Sequence, residues 1–288
     1  MSTLHDVGLN DVRMVVADVD GTLLTPEKIL TPRARAVVRA IVEAGIAFTI
    51  TSGRPPLGMK NLIADLQLQQ PIPAFNGGVL VRPDLSIIDE HLVPSEAAKS
   101  VIDILTKGTL DVWVYADKDW YVRSRHAPHV EREEWTVGFP PTVVSTYKGL
   151  LDRVVKIVGV SDDSDVMAEY VGQVQRQCGE HVSAALSQPY YLDVTHPKAN
   201  KGEVVSTLSA LLAIPTPKIL TIGDMPNDVL MFQRSGVSIA MGNASPGVQH
   251  AATFVTASNT EDGFARAMER FVLRAPPSAI VKQILSQI

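Results

Sequence analysis

Two aspartates set one residue apart, Asp18 and Asp20, close a continuous apolar run, Met14-Val15-Val16-Ala17, and are followed by Gly21 and Thr22. The run reads as a strand buried on both faces of a parallel sheet. Ionised carboxylates at the end of such a strand leave water only when paired or metal-bound. In extended backbone, residues i and i+2 point to the same side, and Gly21 frees the chain to turn. Both carboxylates can therefore face one centre at the C-terminal edge of the sheet, where open α/β folds bind ligands. An Asp-Gly pair also serves ordinary turns, so this stretch alone leaves a turn and a site open.

The pattern recurs along the chain. Residues 46–50 are mostly apolar and end in Thr51-Ser52-Gly53-Arg54-Pro55, Pro73-Ala74-Phe75 leads into Asn76-Gly77-Gly78, and residues 219–222 end in Gly223-Asp224-Met225-Pro226-Asn227-Asp228. Clustered ionised aspartates repel one another unless a cation sits among them. An all-oxygen set without His or Cys favours Mg²⁺ over Zn²⁺, and Mg²⁺ typically shares a substrate phosphate. Ser52 and Gly53 offer a hydroxyl and backbone N–H groups at a strand-to-helix turn, which suits phosphate. Lys201 opens a helix, where the macrodipole disfavours a cation, and this misplacement points to a role in balancing carboxylates and phosphate oxygens. Each residue also has a structural reading: Ser52, Asn227 and Asp228 as helix caps, Lys201 as a solvated surface lysine.

The elements that must position these groups follow from hydrophobic spacing. Thr31-Pro32 reads as an N-cap and first helical residue, with Val37, Val38, Ile41 and Val42 facing inward and Gly45 ending the helix. A strand at 46–50, a helix at 57–68 and a short strand at 73–75 follow, an alternation that implies a parallel sheet. The character then changes: a hairpin over 78–93, helices at 95–105, 126–137 and 162–178, and strands at 111–116, 120–123, 153–160, 182–187 and 190–195. The alternating pattern resumes with a helix at 201–213 (Val204, Val205, Leu208, Leu211 and Leu212 inward), a strand at 219–222, a helix at 226–234, strands at 237–241 and 253–256, and a helix around Phe264 to Phe271. Residues 275–288 read as a docked helix or a tail. The expected architecture is α/β, a Rossmann-like doubly wound parallel sheet with an inserted α+β domain. The boundaries expected are 1–84 and 193–288 for the core and 85–192 for the insert.

Within the insert, Trp113, Tyr115, Trp120, Tyr121 and Trp135 read as a small domain's core, with stacking on a sugar ring as the alternative. Arg123, Arg125, Lys148 and Lys156 read as surface charge, with selection of an anionic or polyhydroxyl substrate as the alternative. His126 and His129 share a face of the expected helix and read as surface residues, lacking a third metal ligand nearby. Cys178 falls at an inward helical position.

The whole chain has 288 residues, 45% hydrophobic and 20% charged, with a formal net charge of −5. That charge, without a basic block, disfavours nucleic-acid binding through a broad basic face. One cysteine excludes an internal disulfide and fits a cytoplasmic setting. The first residues lack the pattern of a signal peptide, and no apolar run reaches membrane-spanning length. A monomer or small homo-oligomer acting on a small-molecule phosphate ester is expected.

Taken together, Asp18-Val19-Asp20-Gly21-Thr22, Thr51-Ser52-Gly53-Arg54, Asn200-Lys201-Gly202 and Gly223-Asp224-Met225-Pro226-Asn227-Asp228 resemble, in order and wide spacing, the four signature motifs of the haloacid dehalogenase superfamily. The insert between the second and third motifs, preceded by Asn76-Gly77, is similar to the α/β cap of the Cof-type (IIB) sugar-phosphatase branch. Ser52 stands where that branch commonly has Thr. The resemblance implies a Mg²⁺-dependent phosphomonoester hydrolase working through an aspartyl-phosphate, with sugar phosphates as the favoured substrates. It implies that Asp18 is the nucleophile and Asp20 the general acid/base. The metal would be held by the Asp18 side chain, the Asp20 backbone carbonyl and Asp224, with Asn227 and Asp228 just outside. Ser52, Gly53 and Lys201 would bind phosphate, and Arg54, Asn76 and Asn200 would lie near the substrate. A sugar phosphomutase and a non-catalytic phospholigand-binding protein are the alternatives.

Overall fold

The computed structural model describes residues 11–108 and 110–273. The expectations for the first residues and for 275–288 lie outside the described residues. In chain order the elements are β1 (Met14–Asp18), α1 (Pro32–Glu43), β2 (Ala47–Thr51), α2 (Lys60–Asp65), β3 (Ile72–Ala74), β4 (Val79–Val81), β5 (Ile87–Glu90), α3 (Ser95–Lys107), β6 (Asp111–Ala116), β7 (Asp119–Val122), α4 (Val130–Val137) and β8 (Thr142–Val143). They continue with β9 (Val154–Val160), α5 (Ser164–Cys178), β10 (Ser183–Gln188), β11 (Tyr191–Thr195), α6 (Lys201–Leu212), β12 (Ile219–Gly223), α7 (Val229–Phe232), β13 (Val237–Ala240), α8 (Pro246–Ala251), β14 (Phe254–Val255) and α9 (Gly263–Met268).

The chain divides into two compact units. One comprises the described residues through Ser52, Leu62–Pro73, and those from Asn200 onward; the other comprises Gly53–Asn61 and Ala74–Ala199. The first is built on a five-stranded parallel sheet in the order β14-β13-β12-β1-β2. Every residue of β1, β12 and β13 is buried, as a strand covered on both faces requires. Each fully buried Val, Ile or Met there contributes about 1.5–3 kcal/mol relative to exposure. Around this sheet α1 packs with α9, and α6 with α7. Thr31 caps α1 through Ala34 N, and Pro32 follows at the first helical position, as the sequence predicts. Two inward assignments fail: Val42 and Leu211 lie on exposed helix faces, because each marks the outer edge of an apolar stripe already filled by its neighbours.

The second unit carries a six-stranded sheet in the order β10-β11-β9-β6-β7-β8, antiparallel throughout except for β7 with β8. Alternation along β6 sends Val112, Val114 and Ala116 into a core with α3 and α5, and Trp113 and Tyr115 to the opposite face. Trp113, Tyr115 and Trp120 are buried, as expected of a small core, whereas Trp135 is exposed. Cys178 is buried as expected. The helix expected at 126–137 begins only at Val130, after His129 adopts a left-handed conformation. His126 and His129 therefore share no helical face. His129 instead bonds the Asp162 carboxylate at 2.7 Å and stacks on Tyr190. The segment carrying the six-stranded sheet starts after His91 and ends before His196, and these two rings stack with centroids 5.4 Å apart.

Candidate active site

The register of the parallel sheet brings the expected strand ends together. Asp18 at the end of β1 pairs across to Thr51 of β2, and β12, which leads into Asp224, lies on the other side of β1. Asp18, Asp224 and Asp228 each offer a carboxylate oxygen, all within 4.8 Å of one another, and all three residues are buried. Lys201, only 2% exposed, places Nζ 2.5 Å from Asp18 Oδ1 and 2.5 Å from Asp228 Oδ1. It is not the solvated lysine of the structural reading. Asn200 caps α6 through its side chain onto Glu203 N, so the helix begins where Lys201 can turn inward.

Backbone geometry makes this convergence feasible at two glycines. Gly21 has φ +85°, and a Cβ there would overlap Asp224 Oδ2. A Cβ on Gly223 would overlap the Asp228 carboxylate in the same way. Asp228 Oδ2 accepts from the backbone N–H groups of Asp224 and Met225 at 2.9 and 2.8 Å. This carboxylate thus pins both Lys201 and the turn that carries Asp224. Thr22 Oγ1 donates to Asp224 Oδ1 at 2.9 Å, and Asn243 Nδ2 donates to Asp224 Oδ2 at 3.3 Å and to the Gly21 carbonyl at 2.9 Å.

Three carboxylates against one ammonium leave an excess of negative charge in a buried place. Burial pushes the Asp18 carboxyl well above the usual range against the pull of Lys201, and Asp228 and Asp224 push it the same way. Burial, then Asp228, raises Asp224 to about 6. Burial works against the Lys201 ammonium, but Asp18 and Asp228 hold it above the ordinary lysine range. Such a set fits a hard divalent cation: its donors are all oxygen, and added positive charge relieves the repulsion. Asp228 accepts three bonds, from Lys201 Nζ and from the Asp224 and Met225 N–H groups, against two at Asp224, so Asp18 and Asp224 are the side chains better placed to hold the ion.

The remaining expected residues fall as follows. Asp20 is half-buried, with Oδ1 2.6 Å from Lys28 Nζ. Ser52 is buried beside the end of β2, its N–H bonded to the Pro73 carbonyl. Asn227 is exposed in the turn Pro226–Asp228. Gly53, Arg54 and Asn76 belong to the second unit. There Asn76 has φ +57°, a Cβ on Gly53 would lie 3.4 Å from its Nδ2, and Arg54 Nη1 approaches the Gly58 carbonyl at 3.4 Å.

Sequence reasoning assigned no role to Thr22, Lys28, Asn243 or Thr51. Asn243 follows β13, so the rule that found the other strand-end polar groups also reaches it. Thr51 carries a buried hydroxyl without a partner among the described residues. Lys28 sits in an irregular loop at φ +61°, where no periodicity marks it.

Comparison with known proteins agrees with this geometry. The haloacid dehalogenase-like hydrolase family matches residues 15–268. A 5-amino-6-(5-phospho-D-ribitylamino)uracil phosphatase of Bacillus subtilis (strain 168) is 26% identical over 286 residues, covering 91% of this chain and 98% of the relative. A haloacid dehalogenase-like hydrolase from Bacteroides thetaiotaomicron has a solved structure similar to this one, with a TM-score of 0.83 at 25% identity over 90% of this chain and 99% of that one. A solved HAD subclass IIB sugar phosphatase, 22% identical, shares the fold with a TM-score of 0.79 over 90% of this chain and 99% of its own. Among the described residues no helix is long and apolar enough to cross a membrane.

Proposed function

We propose, from the premise that the chain belongs to the haloacid dehalogenase-like hydrolases and is a phosphatase of small phosphorylated metabolites, that it hydrolyses sugar phosphates with Mg²⁺ through an aspartyl-phosphate. The observation that carries the reading is the buried Lys201 ammonium set between Asp18 and Asp228, with Asp224 alongside.

In this reading Asp18 and Asp224 hold Mg²⁺, together with the Asp20 carbonyl. The ion, when bound, supplies positive charge that offsets the carboxylates and the phosphate oxygens. Lys201 fixes Asp18 Oδ1, so the Asp18 carboxylate is oriented before substrate arrives. Asp18 attacks phosphorus in line and the ester P–O bond breaks. Asp20 gives its proton to the departing alkoxide oxygen, then takes a proton from the water that attacks the phosphorus of the aspartyl-phosphate. That second attack releases inorganic phosphate and regenerates Asp18. The Lys28 ion pair suits the carboxylate form of Asp20, the form that accepts a proton from water. Ser52, the Gly53 N–H and Lys201 stabilise charge on the transferring phosphoryl group, with Asn227 and Asp228 supporting the ion's surroundings.

The direct test is hydrolysis of p-nitrophenyl phosphate and a panel of sugar phosphates. Turnover is expected with Mg²⁺, none in EDTA, and none from Asp18→Asn in either condition. Interconversion of sugar-phosphate isomers with little free phosphate would make the chain a phosphomutase. An absence of turnover with every ester would leave it a phospholigand-binding protein.

A further inference from the structure

Lys28 reaches the Asp20 carboxyl group from a turn that local preferences do not explain. Its Nζ lies 2.6 Å from Asp20 Oδ1, and the two side chains are 29% and 30% exposed. The turn closes on itself: the Thr25 N–H donates to the Ile29 carbonyl at 3.1 Å, the Lys28 N–H to the Thr25 carbonyl at 2.9 Å, and the Ile29 N–H to Thr25 Oγ1 at 3.3 Å. Both of its ends are anchored within the first unit. The N–H groups of Leu23 and Leu24 donate to the Val19 carbonyl, Asn259 Nδ2 donates to the Leu24 carbonyl at 2.9 Å, and Thr31 Oγ1 donates to Asp262 Oδ1 at 2.7 Å. Leu23 and Leu24 are buried.

Two ordinary explanations of this turn fail. Lys28 has φ +61°, where an L side chain crowds the backbone and Gly or Asn is the usual occupant. A turn selected for stability would carry glycine there. Packing of the neighbouring apolar residue does not impose the conformation either, because Ile29 is 56% exposed. A part-exposed ion pair contributes little to stability. What the conformation achieves is the delivery of an ammonium to Asp20. Strained backbone held in place by surrounding bonds marks a functional constraint.

In the reaction proposed above, Asp20 moves a proton twice. As an Asp18 oxygen bonds to phosphorus and the ester P–O bond breaks, the Asp20 proton passes to the departing oxygen, which keeps the electron pair of that bond. As a water oxygen then bonds to phosphorus, Asp20 takes the water's proton, and the bond from phosphorus to the Asp18 oxygen breaks to return the carboxylate. Both transfers depend on where the Asp20 carboxyl group points. That group turns about two side-chain bonds, and a charge-assisted hydrogen bond to one of its oxygens restricts both. Lys28 belongs to the same unit as Asp18, Lys201, Asp224 and Asp228, so this alignment is internal to that unit.

We propose that Lys28 is a positioning residue: from its strained turn it holds Asp20 Oδ1 and so fixes the direction in which the Asp20 carboxyl group gives and takes its proton. The proposal rests on the phosphatase reading above.

The test compares wild type with Lys28→Met, Lys28→Arg and Lys28→Gly in MgCl₂, on p-nitrophenyl phosphate and on ribose 5-phosphate. The p-nitrophenolate anion leaves without a proton, whereas a sugar alkoxide needs one. In Lys28→Met, kcat/KM for ribose 5-phosphate should fall about tenfold or more, and that for p-nitrophenyl phosphate by less than about twofold. Lys28→Arg keeps a cationic donor and should recover much of the loss. Lys28→Gly should lose activity as Lys28→Met does yet melt no lower than wild type, because glycine adopts φ +61° freely. Equal falls on the two esters, a loss confined to KM, or no change beyond about twofold on either ester overturns the proposal. A crystal structure of metal-free Lys28→Met gives a readout independent of turnover: an Asp20 carboxyl group that has turned, or that takes two orientations, supports the proposal, and one that keeps its direction overturns it. If wild type hydrolyses neither ester, the phosphatase reading fails separately. The crystal structure decides the role of Lys28 whenever wild type leaves either ester intact.

Discussion

Replacing Lys201 by methionine keeps the length of the side chain and removes the one ammonium between Asp18 and Asp228. Its Nζ is bonded to both carboxylates at 2.5 Å, and it is 2% exposed while Asp228 is fully buried. Water therefore has little access to screen what is left behind. Breaking a buried ion pair by removing one partner costs about 3–5 kcal/mol. At ~2–4 °C per kcal/mol for a domain of this size, the first unit's transition should fall by roughly 6–20 °C. The assay is scanning calorimetry in EDTA and then in saturating MgCl₂. The drop should be large in EDTA and much smaller with Mg²⁺, because the ion replaces the missing positive charge. Adding Asp228→Asn to Lys201→Met should recover part of the lost stability, since one of the stranded carboxylates disappears, and the two changes should be clearly non-additive. A shift under ~2 °C in EDTA, or a double variant no more stable than Lys201→Met, would refute the account of Lys201 as the internal countercharge.

Three further outcomes follow from the same geometry. Asp224 is raised to about 6 from an ordinary 3.8, and Asp18 is raised as well, so the folded protein without metal binds protons more tightly than the unfolded chain. In EDTA the stability that these raised carboxyls contribute should therefore be fullest below pH 3.8 and be lost as pH rises through about 6. The added Tm in Mg²⁺ should grow over that same rise, as read by melting at pH 5 and pH 7.5. Gly21→Ala forces a side chain onto the Asp224 carboxylate at φ +85°. It should cost more than ~1 kcal/mol and weaken Mg²⁺ activation, measured by melting and by the half-maximal Mg²⁺ concentration. Asn200→Ala should lower stability by about 1 kcal/mol as a lost N-cap, with Asn200→Ser restoring it. The order of preference among esters should not change, which separates a cap from a substrate contact.

The site was legible where chemistry conflicted with ordinary placement. Asp18 and Asp224 stood out because carboxylates at the ends of buried strands need a reason. Lys201 stood out because a cation at a helix N-terminus is out of place. The parallel sheet was accessible through the alternation of strands and helices, though not its strand order, and Thr31-Pro32 marked the start of α1 by its capping chemistry. What escaped depended on contacts distant in sequence or on irregular backbone. Lys28 reaches Asp20 from a loop without periodicity. Thr22 lies inside the first motif, yet its bond to Asp224 spans almost the whole chain. His129 failed as a helical residue because a left-handed turn, which no side-chain pattern announces, ends just before α4. Lys156 looked like a surface lysine because its partner Asp193 lies two strands further on, across the β9–β11 pairing.

The stacked rings of His91 and His196 tie together the two ends of the segment that contains the whole six-stranded sheet. A segment that leaves and returns at one point behaves as a cassette. It can be exchanged between related chains by two cuts, one just before His91 and one just after His196, with little demand on the distance between the cut ends. Such exchange would carry the six-stranded sheet as a block and leave the Asp18, Lys201, Asp224 and Asp228 set untouched. A chimaera joined at the two histidines therefore asks whether the six-stranded sheet folds as a part separate from the parallel sheet.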